Sequence, residues 1–260
     1  MSDQGYLLPN RQAGAARRLA LLGEIYDPWT IGHLESIGIA SGWRCWEAGA
    51  GGPNVATWLA ARVGNAGRVL ATDLDTSGLA GAHGIEIRRH DLTRDPVPDG
   101  TFDLVHARLV LVHIPERERV LAAMIAALRP GGWILIEEAD PGLQLLATLQ
   151  TGEAAERAQR IRSGFRALLK ARGADLCWGR SLPQRLRAAG LTGVRADALV
   201  TLTHPACAEL ERITIGMLRD ALISSGHTTV DELEAHLASV ASGELDIAQP
   251  PLVSAWGRRG

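Results

Sequence analysis

The stretch Glu47-Ala48-Gly49-Ala50-Gly51-Gly52-Pro53-Asn54 decides the fold, because it joins a short apolar run to a helical pattern. The run before it, at 44–47, is typical of a buried strand, and Pro53 suits the first position of a helix. Glycine between the two elements permits a sharp turn and the close approach of a ligand. The segment therefore predicts a strand, a turn and a helix whose free N–H groups lie near a nucleotide-like ligand, although a tight turn with nothing bound has the same pattern.

Short apolar runs alternate with helical patterns from residue 43 to residue 140. Strands are predicted at 44–47, 68–73, 85–87, 102–106 and 133–137. The best-marked helix between them begins at Pro115 and ends before Pro130-Gly131-Gly132. This alternation predicts a parallel sheet with right-handed crossovers and helices on both faces, which is a doubly wound α/β core.

A different pattern flanks this core on both sides. Helices are predicted at 12–26, 31–40, 151–171, 181–189, 206–224 and 230–240, and strands at 193–203 and 250–258. In the first of these strands the alternation predicts that five side chains point inward, namely Val194, Ala196, Ala198, Val200 and Leu202.

The composition excludes several classes of function. The 260 residues suit one large domain, and 27 basic against 29 acidic side chains give a net charge of −2, which provides no field for nucleic acid or an anionic membrane. Cys45, Cys177 and Cys207 are odd in number and lack the spacing of a zinc site, so we expect a reducing cytoplasm. Neither a secretion signal nor a membrane span is predicted.

Acidic residues follow or end three successive predicted strands. Asp73 is placed to accept both hydroxyls of a ribose, and Asp91 to accept the exocyclic amine of an adenine that Leu92 covers. Glu47 would face a pyrophosphate unfavourably but suits a sulfonium or amino group. Asn54 stands where a dinucleotide fingerprint needs glycine, which disfavours NAD. Each acid taken singly is also consistent with a solvated strand end.

These segments together resemble the class I S-adenosylmethionine-dependent methyltransferases. Glu47-Ala-Gly49-Ala-Gly51 is similar to the first motif of the family, Asp73 to its ribose acid, and His90-Asp91-Leu92 to its adenine clamp. Residues 102–108 and 128–133 are similar to its fourth-strand motif and to the segment before its fifth strand, and 26–30 and 137–140 to an actinobacterial small-molecule subgroup. Pro53 departs from the family pattern, since many members have a third glycine there.

The resemblance implies a mostly parallel seven-stranded sheet of the Rossmann-like methyltransferase type, whose last two strands, 193–203 and 250–258, form an antiparallel hairpin. It divides the single domain 1–260 into N-terminal helices at 1–40, a cofactor-binding core at 41–140, and helical lid insertions at 141–180 and 204–245 over the acceptor pocket. Met217, Leu218, Trp178 and Phe165 are candidates for the lid's apolar lining, or else pack it onto the core, and Trp29 and Trp178 are candidate pocket walls.

The activity implied is transfer of a methyl group from S-adenosylmethionine to an O, N or C atom of a small-molecule acceptor, of secondary-metabolite type, with S-adenosylhomocysteine as the product. The residues expected to bind the cofactor are Tyr26, Trp29, Glu47, Gly49, Gly51, Asp73, Leu74, Asp91, Leu92, Arg108 and His113. A homodimer is left open. Two alternatives remain: a cofactor-binding protein that catalyses a non-methylating cyclisation or rearrangement, or only senses the cofactor, and an NAD-type oxidoreductase.

Three histidines are the candidates for a catalytic base, because an imidazole titrates near neutral pH. His106 and His113 flank the end of the fourth strand, and His204 follows a later strand. A packing role for His106 and a role at the start of a helix for His113 remain open. Arg108 is expected either to reach the methionine carboxylate or to cap a helix.

Neither a metal nor a nucleic-acid acceptor is expected. Glu137 and Glu138 should point to opposite faces of the fifth strand, which does not suit shared metal coordination. The Asn/Asp-Pro-Pro-aromatic motif of the DNA and RNA amino-methylating relatives is replaced by His106-Ala-Arg-Leu-Val.

Overall fold

Seven strands form one sheet in the part of the chain that this computed structural model describes, which comprises residues 7–8, 12–98, 101–144 and 147–260. Residues 1–6 and 9–11 of the predicted N-terminal segment therefore lie outside the described residues. The strands are β1 Arg44–Ala48, β2 Arg68–Asp73, β3 Glu86–Arg89, β4 Phe102–Arg108, β5 Leu128–Ala139, β6 Thr192–Leu199 and β7 Leu252–Arg258. The α-helices are α1 Ala15–Ile37, α2 Asn54–Val63, α3 Arg117–Ala126, α4 Glu153–Ala171, α5 Trp178–Ala188, α6 Pro205–Met217, α7 Arg219–Ser224 and α8 Val230–Ala241.

The strand order is β3-β2-β1-β4-β5-β7-β6, which confirms the predicted doubly wound sheet. β1 to β5 are parallel, and β7 runs antiparallel between β5 and β6. The direction of chain progression reverses between β1 and β4. In a sheet of this kind a crevice opens at the carboxyl ends of the strands on either side of such a reversal.

Apolar side chains fill both faces of the sheet. Leu59 of α2 packs on one face and Met124 of α3 on the other, and both are fully buried. Trp46 is 1% exposed, and its indole N–H donates to Thr72 Oγ1 at 2.9 Å, so the ring packs without leaving a buried donor unpaired. Trp178 packs in the same core cluster as Met124, beneath the guanidinium of Arg185. Of the two roles predicted for Trp178, the structure therefore has packing onto the core rather than the lining of a lid, and the prediction that Trp178 forms a pocket wall is wrong.

The predicted break between two N-terminal helices is also wrong. α1 is continuous from Ala15 to Ile37 and carries Pro28 in its interior. A proline there removes one helical hydrogen bond and crowds the preceding turn. Burial of Leu21 and Ile25 before it and Leu34 after it along one packed face compensates for that cost.

The outer strand and the last helices differ from the prediction as well. β6 ends at Leu199, and Ala196 and Ala198 on it are exposed, so their predicted inward orientation is wrong. Val200 and Leu202 lie beyond the strand and are 54% and 43% exposed, so their predicted inward orientation is wrong. The single helix predicted at 206–224 is divided at Leu218 into α6 and α7.

The helices α4, α6, α7 and α8 pack on one another at the carboxyl end of the sheet, and we call them the helical cap. α1 lies against α6 and so joins this cap to the sheet. Met217 and Leu218 pack within the cap's apolar cluster. Among the described residues, none of the helices has the length and apolar character needed to cross a membrane.

Candidate active site

A cavity of about 640 Å³ lies between the carboxyl ends of the central strands, helix α1 and the helical cap. One half is lined by the loops that follow β1, β2, β3 and β4, and the other by apolar side chains of α1, α4 and α6. The predicted cofactor residues that line it are Tyr26, Glu47, Gly49, Gly51, Asp73, Leu74, Asp91, Leu92, Arg108 and His113. Trp29, His106 and His204 are not among the lining residues, and Phe165 is the predicted lid residue that is.

The loop after β1 is held tightly against the neighbouring strand ends. The N–H groups of Gly49 and Ala50 donate to the carbonyl of Thr72 at 2.8 and 3.0 Å. Gly49 and Gly51 have φ angles of 68° and 63°, a conformation that favours glycine. A Cβ at Gly49 would lie 2.5 Å from Val110 Cγ2. The two glycines therefore allow the backbone to form the cavity wall.

Asp73 and Asp91 occupy neighbouring strand ends, as predicted from their spacing. Asp73 Oδ2 accepts the N–H of Gly51 at 2.9 Å, and Oδ1 accepts the N–H of Asp75 at 3.0 Å. Burial raises the pKa of Asp73, against the lowering effect of these N–H bonds. Asp91 Oδ1 accepts from the N–H and hydroxyl of Thr93 at 2.9 and 2.6 Å. Both carboxyl groups are thus fixed in place at the cavity wall.

His106 lies inside the sheet rather than on the cavity surface. Its Nδ1 is 2.6 Å from Glu47 Oε2 and its Nε2 is 3.2 Å from Glu137 Oε2, and the ring is fully buried. Burial alone would lower the pKa of His106, but the two carboxylates outweigh it and raise the pKa to about 9. His106 therefore does not contact a substrate in the cavity, as a catalytic base would have to do.

Glu137 collects further donors from α1 and β7. It accepts the hydroxyls of Thr30 at 2.5 Å and Ser254 at 2.7 Å. Ser254 in turn accepts the indole N–H of Trp29 at 3.2 Å, which accounts for the position of Trp29 away from the cavity. Burial would raise the pKa of Glu137, but hydrogen bonds from the histidines outweigh it, His106 first, and lower the pKa.

Arg108 is held by α1 at the edge of the cavity. Its guanidinium donates to Asp27 Oδ1 at 2.7 Å and to Thr30 Oγ1 at 2.8 Å. Asp27 also accepts from the side-chain amide of Asn54 at 2.7 Å, which links α1 to the start of α2. The predicted helix-cap role for Arg108 is replaced by this ion pair, while its place at the cavity keeps it within reach of a ligand.

The turn after β4 is held by Glu138, a role that was not predicted from the sequence. Leu109 has a φ of 59°, unusual for a residue with a side chain. Glu138 Oε1 accepts the N–H groups of the next two residues, Val110 at 3.1 Å and Leu111 at 2.6 Å. Burial raises the pKa of Glu138 to about 8, despite these N–H groups. The prediction that Glu137 and Glu138 face opposite sides agrees with these separate partners.

The two remaining candidate bases have different surroundings. His113 lines the cavity, and burial, together with the charges of Arg18 and Arg117, lowers its pKa to about 4. Its imidazole is therefore neutral at pH 7. His204 accepts the N–H of Ala206 at 3.1 Å and caps the start of α6. This role at the start of α6 explains the position of His204, which does not line the cavity.

A buried ion pair in the helical cap was missed by the sequence reasoning. Arg162 of α4 donates to Glu211 of α6, with contacts of 3.1 Å from Nε and 2.6 Å from Nη2. His236 of α8 lies 2.9 Å from the same carboxylate. Arg162 and Glu211 both line the cavity, beside Phe165 and Leu210. The only sequence signal was the arginine run of α4, which is also typical of a solvated face.

Comparison with known proteins agrees with this geometry. Residues 46–136 match the family model described as a methyltransferase domain. Over this segment the chain is similar to methyltransferase domains. The matched segment begins on β1 and ends on β5, so it covers the parallel part of the sheet and the loops after β1, β2, β3 and β4 that line the cavity.

Two curated methyltransferases show the extent of the likeness. "Methyltransferase str3" of Strobilurus tenacellus is 37% identical over 90 residues, which cover 34% of this chain and 30% of the relative. The ubiquinone/menaquinone biosynthesis C-methyltransferase UbiE of Cellvibrio japonicus is 28% identical over 128 residues, covering 45% of this chain and 51% of the relative. The chain therefore spans about a third to a half of the length of these relatives.

A solved methyltransferase structure has the same fold over a wider range. Phosphoethanolamine N-methyltransferase 2 of Haemonchus contortus superposes with a TM-score of 0.57 at 15% identity, covering 98% of this chain and 60% of the other. At this identity the likeness supports the sheet topology and the placement of the helices. It does not extend to the acceptor.

Proposed function

We propose that this protein transfers the methyl group of S-adenosylmethionine to an oxygen, nitrogen or carbon atom of a small, partly apolar acceptor. One observation carries the proposal. A single cavity joins a half built for a nucleoside, with the Gly49–Gly51 loop, Asp73 and Asp91, to an apolar half that contains Phe165 and Leu210. The two reactants of such a transfer would thus share one water-excluding space.

The residues of the first half fit S-adenosylmethionine. When bound, this cofactor supplies a methyl group already activated by the sulfonium. Asp73 is placed to accept the ribose hydroxyls and Asp91 the adenine amine, with Leu74 and Leu92 beside them. The close packing of Gly49 against Val110 leaves the backbone itself as the wall. Glu47, also at the wall, suits the positive charge of the cofactor.

The residues of the second half orient an acceptor and exclude water. Apolar walls from the helical cap bury the body of the acceptor, while Arg162 and Glu211 offer hydrogen bonds within the same wall. His113 is the candidate histidine that lines the cavity, so we propose that it orients an oxygen or nitrogen acceptor through a hydrogen bond. We further propose a secondary metabolite as the acceptor and the cytoplasm as the location, which the three free cysteines support.

Calorimetric titration with S-adenosylhomocysteine tests the cofactor site. We expect binding to the wild type, and at least about tenfold weaker binding to Asp73→Ala, because both ribose hydroxyls lose their acceptor. Asp231→Ala, at the exposed first turn of α8, is the matched control and should bind as the wild type does. A well-folded wild type that binds neither this ligand nor S-adenosylmethionine would refute the proposal.

Consumption of the methyl donor tests the reaction itself. Incubation with candidate acceptors and S-adenosylmethionine should release S-adenosylhomocysteine, and His113→Ala should slow release for oxygen or nitrogen acceptors more than for carbon acceptors. Product formation from an acceptor without release of S-adenosylhomocysteine would instead support the non-methylating cyclisation or rearrangement.

A further inference from the structure

The group of hydrogen bonds around Glu137 determines where its protons lie. Arg108 can only donate, so Thr30, which accepts from Arg108 at 2.8 Å, directs its own hydroxyl proton to Glu137. The indole N–H of Trp29 can likewise only donate, so Ser254 directs its hydroxyl proton to Glu137 as well. A carboxyl group that accepts from both hydroxyls is present as the carboxylate.

The Glu137 carboxylate determines which ring nitrogen of His106 carries a proton. His106 Nε2 lies 3.2 Å from Glu137 Oε2, so Nε2 carries a proton and donates it. On the other side of the ring, Nδ1 lies 2.6 Å from Glu47 Oε2. This distance requires one proton between the two atoms. It resides either on His106, which leaves Glu47 ionised, or on Glu47, which leaves the cavity wall neutral.

The surrounding charges favour the first arrangement. The titratable groups nearby include Cys45, on the same strand as Glu47, and Arg108, which is paired with Asp27. They also include His33, which lies 3.5 Å from Glu137 and 3.0 Å from the exposed Asp197. The Glu137 carboxylate beside Nε2 stabilises a positive charge on the His106 ring, because an anion next to an imidazole favours its charged form. Of the three groups, Glu47 is the one that lines the cavity, so in this arrangement its negative charge faces the ligand.

We propose that His106 is a positioning residue that holds Glu47 as an oriented carboxylate at the cavity wall, where it binds the positively charged end of the cofactor. This inference rests on the proposed function. It gives His106 a role different from that of a catalytic base, because the ring acts through Glu47 and does not reach the cavity. The backbone register supports it, since Glu47 and His106 are directly paired between β1 and β4.

Two ligands separate this role from a merely structural one. S-adenosylhomocysteine carries the ammonium group, whereas 5′-methylthioadenosine retains the nucleoside and the thioether but has no charge. His106→Asn keeps a hydrogen-bonding side chain without a charge. We expect it to weaken binding of S-adenosylhomocysteine at least about tenfold and to leave binding of 5′-methylthioadenosine within about twofold of the wild type.

Glu47→Gln should reproduce this difference between the two ligands. The double variant should be no worse than Glu47→Gln alone, because His106 acts only through the Glu47 carboxylate, which that variant already lacks. If His106→Asn weakens both ligands by the same factor, or neither, the inference is wrong while the proposed function stands. If the wild type binds neither ligand, the proposed function itself fails.

A second measurement is made on the wild type, and a variant serves only to assign the signal. Nitrogen-15 spectra of the wild type at pH 7.5 should show His106 with both ring nitrogens protonated. The signal is assigned to His106 by its absence from the spectrum of His106→Asn, which separates it from His33, another buried histidine that lies against two carboxylates. If every described histidine has one unprotonated ring nitrogen at that pH, the inference is overturned.

Discussion

Replacement of Glu138 by glutamine should change the pH dependence of stability in one direction. The side chain is fully buried on β5, and its Oε1 accepts the N–H groups of Val110 and Leu111. Its Oε2 has no hydrogen-bond partner among the described residues. Burial raises the pKa of Glu138 from 4.5 to about 8, so the folded protein holds it protonated at pH 7. Glutamine has the same shape and is neutral at every pH.

The sign of the effect follows from the raised pKa. The folded state binds this proton more tightly than the unfolded state, so its contribution to stability is complete below about pH 4.5 and is lost as the pH rises to about 8. At about 1.4 kcal/mol per pH unit the loss has an upper limit of about 5 kcal/mol. The Glu138→Gln variant does not lose this stability, because its side chain is neutral at every pH. We therefore expect the stability of the variant relative to the wild type to increase by about 3–5 kcal/mol between pH 5 and pH 8 and to level off above.

Urea unfolding at intervals between pH 5 and pH 9 measures this difference. The free energy of unfolding of each protein is compared at the same pH, so other titrating groups cancel. Glu244→Gln, at an exposed position, is the matched control and should follow the wild type. A difference between Glu138→Gln and the wild type that stays constant from pH 5 to pH 8 would show that Glu138 is ionised in the folded protein, and the reasoning would be refuted.

Three further changes test other parts of the site. Gly49→Ala should lower the free energy of unfolding by about 1–3 kcal/mol and abolish cofactor binding, because the φ of Gly49 is positive and the new Cβ would clash. The Cβ of the control Gly52→Ala meets no atom within 4 Å, so this variant should change little in either assay. Arg162→Met should lower the free energy of unfolding in urea by about 3–5 kcal/mol, because Glu211 loses a buried partner. Adding Glu211→Met should recover part of that loss. Strictly additive losses from the two changes would contradict a buried pair. His204→Ala should cost about 1 kcal/mol as a lost helix cap and leave calorimetric binding of S-adenosylhomocysteine unchanged, and weaker binding would return His204 to the site.

The part of the cavity around Gly49, Asp73 and Asp91 could be predicted because its signals are local. The strand, glycine turn and helix around Gly49 lie within a dozen residues, and topology brings the end of each parallel strand to the same edge of the sheet. Knowledge of the strands therefore sufficed to place Asp73 and Asp91 at one cavity. Pro28 shows the opposite case, because a local rule for ending a helix was overruled by the packing of the whole α1 face.

The acceptor half could not be predicted, since its contacts join distant parts of the chain. Glu211 lies 49 residues from Arg162 in sequence, and which faces of α4 and α6 meet depends on the packing of four helices. Trp178 illustrates the same limit. Its position between the fifth strand and the cap allowed either a lid or a core role, and only the docking of α5 on β7 decides between them.

One signal for the buried charges was present in the sequence. Strands of a parallel sheet covered on both faces are normally apolar throughout, yet Glu47, His106, Glu137 and Glu138 all lie within the three strands β1, β4 and β5. Buried ion pairs contribute little net stability relative to apolar side chains of similar size. Stability alone therefore does not account for four such residues in neighbouring strands. Their shared position at the carboxyl end of the sheet, beside the point where strand order reverses, is where charge can act on a ligand.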